Sequence, residues 1–68
     1  MTRRGFLCGD RVALARDTLI RMGDGWIEGR AGDKFVYLRR TGWHAIVSDG
    51  VFEFAVTPDF LLHDNDAT

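Results

Sequence analysis

The chain holds one cysteine, one proline, two histidines and no glutamine. A lone thiol, Cys8, excludes a disulfide framework and any cysteine-based metal site, and it fits a reducing cytoplasm. No apolar run approaches the length of a transmembrane helix. Thr2-Arg3-Arg4-Gly5-Phe6-Leu7 has the look of a twin-arginine export signal, but Asp10 and Arg11 stand where its apolar segment would have to be, so a cytoplasmic protein is expected. His44 and His63 have no neighbour at metal-ligand spacing. No nucleophile elbow or glycine-rich phosphate loop is present, because the glycines at 23, 25, 29 and 32 precede strands. Asp10, Asp24, Asp33 and Asp49 each adjoin a glycine, which is turn chemistry and gives no paired acid and base.

Basic charge is missing from the second half. Residues 1–40 carry all nine Lys and Arg and five acids, 9 − 5 = +4, while residues 41–68 carry five acids and no base, −5. Such asymmetry can mark an anionic partner. In a closed barrel the halves interleave and the polarity cancels.

Apolar residues make up 46% of the 68, enough for one small core and too many for a disordered chain. Trp43 to Val56 organises that core. Two alternating runs flank Asp49-Gly50, a pair suited to a type I′ hairpin turn. A two-residue turn would set Ser48 opposite Val51, Val47 opposite Phe52, Ala45 opposite Phe54 and Trp43 opposite Val56. One face then reads Trp43, Ala45, Val47, Phe52, Phe54 and Val56, all apolar.

The remaining punctuation is dense. After a mobile tail at 1–5, Gly9-Asp10 turns into a strand from Arg11 to Arg16. Residues 17–25 fit either a short strand at Leu19-Ile20-Arg21-Met22 or an irregular excursion, and they end in a Gly23-Asp24-Gly25 turn. Trp26 to Ala31 forms the next strand, with a bulge or bend at Gly29. Gly32-Asp33 suits a type II′ turn into a strand from Lys34 to Arg39. Thr57-Pro58-Asp59 reads as cap, first position and first turn of a 3₁₀ helix, and Leu61-Leu62-His63 as a final strand. Residues 64–68 are expected to fray. No repeat, linker or low-complexity tract stands out from the letters alone.

About five short antiparallel strands, tight Gly/Asp turns and one 3₁₀ turn before the last strand describe an all-β domain over residues 6–63. This pattern resembles the SH3-like small barrels. Gly9-Asp10-Arg11-Val12 is similar to the opening of several bacterial barrels of that class, among them the KOW-type nucleic-acid modules and the type II dihydrofolate reductases. The reductase resemblance would place that family's Val-Gln-Ile-Tyr pore motif at Val51-Phe52-Glu53-Phe54, where this chain has no Gln.

The same register logic applied to Gly32-Asp33 sets Arg30 opposite Phe35, Glu28 opposite Tyr37 and Trp26 opposite Arg39. Ile27, Gly29, Ala31, Val36 and Leu38 would form the core face. The outer face would then join Trp26, Glu28, Arg30, Phe35, Tyr37 and Arg39, aromatics interleaved with charge. Such a surface suits a protein-binding hot spot or base stacking. A cation–π pair of Trp26 with Arg39 is the purely structural alternative. The expectation is a non-catalytic binding module without a cofactor or metal. Its partner would be a protein or a second copy of itself; the alternatives are nucleic acid and membership of a small oligomeric enzyme.

Overall fold

The computed structural model describes residues 5–64. Seven strands form one antiparallel sheet: β1 (Arg11–Leu14), β2 (Thr18–Met22), β3 (Gly25–Gly29), β4 (Lys34–Thr41), β5 (His44–Ser48), β6 (Glu53–Val56) and β7 (Leu61–His63). A 3₁₀ turn at Pro58–Phe60 precedes the last strand. The spatial order is β3-β2-β6-β5-β4-β1-β7, so among the described residues β3 and β7 have free edges. This is the expected all-β class, with more strands than the expected five or so, because β2 and β3 make a hairpin of their own.

The core is small and wholly apolar. Val12, Leu14, Ile20, Tyr37, Ala45, Val47, Phe54, Val56 and Leu61 are buried together, with Phe6, Met22, Ile27 and Phe35 packed around them. Strands β5 and β6 contribute alternate residues, as the period of two requires, whereas β1 buries Val12, Ala13 and Leu14 in succession.

The organising hairpin pairs Ala45 with Val56, Val47 with Phe54 and Ser48 with Glu53. The loop is therefore Asp49–Phe52, two residues longer than expected. Asp49 explains the length. Its Oδ1 accepts main-chain N–H bonds from both Val51 and Phe52 at 2.9 Å, and Ser48 Oγ accepts from Gly50 N–H. A side chain that can close its own turn outcompetes a two-residue loop. Gly50 has the positive φ, 100°, that the pair requires. A shift of two preserves inside and outside, so Ala45, Val47, Phe54 and Val56 still face the core. Phe52 and Trp43 are left in turns and are solvent-exposed, contrary to the expected apolar face.

The Gly32-Asp33 hairpin does not form. Chain β3 pairs with β2 (Arg21 opposite Trp26, Leu19 opposite Glu28), and β4 pairs with β1 and β5. The turn explains why. Asp33 N–H donates to Arg30 C=O at 3.0 Å and Gly32 has φ 94°, so Gly32 is the third residue of a type II turn. Type II geometry splays strands instead of pairing them. Gly29 is buried at the end of β3 and makes no bulge. A Cβ there would lie 2.6 Å from Leu14 Cδ1 and 3.2 Å from Thr18 C=O, so only glycine lets β3 come this close.

The chain does contain a repeat. Leu7-Cys8-Gly9-Asp10-Arg11-Val12-Ala13-Leu14-Ala15-Arg16 aligns with Arg30-Ala31-Gly32-Asp33-Lys34-Phe35-Val36-Tyr37-Leu38-Arg39. Both segments open with a type II turn, with φ 96° at Gly9 and 94° at Gly32. In each the aspartate Oδ2 accepts the N–H three residues back, from Leu7 at 2.9 Å and from Arg30 at 3.0 Å. The strands that follow are β1 and β4, antiparallel partners. Their end bonds match pair for pair: Gly9 N–H to Tyr37 C=O and Gly32 N–H to Leu14 C=O, then Tyr37 N–H to Asp10 C=O and Leu14 N–H to Asp33 C=O.

The tails expected at 1–5 and 64–68 fall mostly outside the described residues. Asp64, however, is held, with Lys34 Nζ 2.9 Å from its Oδ1.

Candidate functional site

The six residues expected on one face are dispersed. Tyr37 is in the core, 6% exposed, and stacks on Phe6 at 5.5 Å. Phe35 is half-buried, edge-on to Phe54 at 5.6 Å. Strand β4 thus turns its aromatics inward and Val36 outward, the reverse of the expected parity. Trp26 and Glu28 are exposed on the edge strand β3, and Arg30 is exposed in the turn that follows. Arg39 is exposed and ion-paired to Glu53 at 3.1 Å. That pair is open to solvent on both sides and adds little stability.

Three of the six still share a face: Trp26 and Glu28, two apart on β3, and Arg39. The pairings run Trp26–Arg21–Ala55–Ile46–Arg39 across β3, β2, β6, β5 and β4, and opposed residues lie on one side of the sheet. Trp26 and Arg39 end that row four strand steps apart, about 19 Å at 4.8 Å per step. The cation over Trp26 is its cross-strand neighbour Arg21, 5.9 Å from the ring centroid, and Arg39 is not involved.

A second surface gathers more chemistry. Strands β4 and β5 are joined by Gly42-Trp43, where Gly42 has φ 57° and opens a type II′ turn. Arg40 Nε donates to Gly42 C=O at 3.3 Å and steadies that turn. The tip projects Trp43, which is 85% exposed. The 3₁₀ turn stands nearby and contributes Pro58. Together they border an open groove of about 970 Å³. Its floor includes Tyr37, Leu61 and Phe6, and Arg40, His44 and Asp59 supply charge and polarity around it. His63, also in the lining, packs against Phe6 at 4.5 Å. Its Nε2 is buried with no hydrogen-bond partner among the described residues.

Sequence reasoning missed this groove. It placed Trp43 in the core through the two-residue turn, and it read Pro58 only as a helix signal. The available clue was Gly42-Trp43 itself, since Gly in the first turn position suits a type II′ hairpin and puts the next side chain at its tip.

No protein-family model matches the chain. No curated protein and no solved structure matches it either. The chemistry therefore rests on the geometry. Among the described residues no three His, Cys, Asp or Glu side chains come together as a metal site. Asp49 is held away from its ordinary range. Its carboxyl is lowered, first by the Phe52 N–H and then by the Val51 N–H. That shift belongs to a turn. No helix of the described chain is long and apolar enough to cross a membrane.

Proposed function

We propose that the chain is a non-catalytic protein-binding module that takes an extended segment of its partner in the Trp43–Pro58 groove. The exposure of Trp43 carries this reading. A tryptophan on a rigid two-residue turn offers a large contact area at little ordering cost, and tryptophan is prominent among binding hot spots. Proline and aromatic walls suit an extended chain, which keeps its backbone groups free for the polar rim. The module needs no cofactor for this. Selection from a library of unstructured peptides displayed on phage tests it. Peptides should be enriched on the intact domain and lost on Trp43→Ala. A domain that enriches no peptide would defeat the proposal. Nucleic acid is the competing ligand class, and its binding would fall steeply with added salt, whereas peptide binding in an aromatic groove would not.

A further inference from the structure

The free edge of β3 is the one surface whose chemistry specifies its own partner. Strand β2 ends at Met22 and β3 begins at Gly25, joined by the two-residue turn Gly23-Asp24. The residues flanking such a turn exchange hydrogen bonds, and bonded pairs alternate along an antiparallel ladder. Gly25, Ile27 and Gly29 therefore bond to β2. The N–H and C=O of Trp26 and Glu28 point away from it, to the free edge. Among the described residues no turn or loop hydrogen bond reaches either of them.

Edge strands left open invite pairing, and proteins blunt them with proline, lysine, bulges or short length. Gly25-Trp26-Ile27-Glu28-Gly29 has none of the first three. The other free edge, β7, is only Leu61–His63.

We infer that β3 pairs antiparallel with β3 of a second copy of this chain, centred on Ile27. Only a centre on a residue whose groups face inward, or on one whose groups face outward, keeps the bonding pattern, which leaves three registers. A centre on Trp26 sets Asp24 against the partner's Glu28, two acids. A centre on Glu28 sets that carboxylate against its own copy. A centre on Ile27 sets Trp26 against the partner's Glu28 and Asp24 against the partner's Arg30, opposite charges at both ends. Each Trp26–Glu28 pair exchanges two main-chain hydrogen bonds, and the two-fold supplies two such pairs. The incoming Glu28 carboxylate also reaches the side of Trp26 whose ring already carries the Arg21 guanidinium. A five-residue edge makes a small interface, so association is weak and concentration-dependent. This dimer leaves the Trp43 groove open and does not depend on it.

The charge pattern gives a complementation test. In Asp24→Arg dimers the end contacts become Arg against Arg, and in Arg30→Asp dimers Asp against Asp. Each variant alone should self-associate about tenfold more weakly than the intact chain in sedimentation equilibrium. An equimolar mixture of the two should recover association, because both of its end contacts join Arg to Asp. Melting of each variant at high dilution should match the intact chain, which separates lost association from lost folding. Amide exchange supplies the location: protection of Trp26 and Glu28 should rise with protein concentration, while Ile27 is protected throughout. A chain that stays monomeric at millimolar concentration would overturn the inference. So would a mixture no stronger than its components, or concentration-dependent protection centred on Trp43.

Discussion

Asp10 and Asp33 occupy equivalent positions about the local two-fold that relates β1 to β4. Each closes a type II turn by accepting the N–H three residues back, and each presents its own C=O to the partner strand. The β1–β4 pair is thus locked at both ends by the same device.

Removing either lock should cost stability. Asp10→Ala and Asp33→Ala each lose a charge-assisted hydrogen bond and should destabilise by about 1–2 kcal/mol, read from chemical unfolding. Gly32→Ala should cost about 1–2 kcal/mol, because φ 94° is strained for any residue with a Cβ. Wild-type stability in all three would show that the turns are incidental.

Gly29→Ala tests the close approach of β3 to the core. Its Cβ would collide with Leu14 Cδ1 at 2.6 Å and crowd the Thr18 carbonyl at 3.2 Å. A loss of about 1–3 kcal/mol is expected. Leu14→Ala in addition would remove the side-chain clash but not the carbonyl, so rescue should be partial beyond the cost of its own cavity.

Acid should loosen the Asp49 loop. The folded carboxyl lies below its ordinary value of 3.8 because the Phe52 and Val51 N–H groups bond its charged form. A depressed folded value contributes stability that is present above the unfolded value and is lost as pH falls through the folded one. Unfolding midpoints should therefore decline below about pH 4. Asp49→Ala should flatten that decline and leave the neutral-to-basic range parallel to the intact chain. An unchanged acid limb would contradict this assignment.

Tyr37 and Trp26, expected on one face, should respond in opposite ways. Tyr37→Ala empties a core position and should cost about 3 kcal/mol or more. Trp26→Ala loses only an exposed ring and its cation–π contact, so about 1 kcal/mol or less. Equal losses would contradict the placement of both.

Legibility in the sequence followed the strength of alternation. His44–Ser48 and Glu53–Val56 were readable because one parity, Ala45, Val47, Phe54 and Val56, is wholly apolar while the other carries His44, Ser48 and Glu53, and a shift of two in the loop could not invert them. Lys34–Arg39 was unreadable in parity, since Phe35, Val36, Tyr37 and Leu38 are all apolar and either pair could face inward. The side chains of turns decided what period could not. Asp49 lengthened one loop, and Ala31-Gly32 set a type II turn where Gly32-Asp33 suggested a hairpin. With that hairpin gone, the expected face of Trp26, Glu28, Arg30, Phe35, Tyr37 and Arg39 came apart. The repeat of Leu7–Arg16 in Arg30–Arg39 was present in the letters but is weak outside Gly-Asp, so its meaning emerged only from the matching hydrogen bonds.

The affinity of one selected peptide for three proteins tests the central claim most directly. The account predicts that Trp43→Ala weakens that peptide at least tenfold with an unchanged melting temperature, and that Trp26→Ala leaves its affinity within twofold of the intact chain. A peptide bound equally by the intact chain and Trp43→Ala, or lost instead on Trp26→Ala, would contradict it.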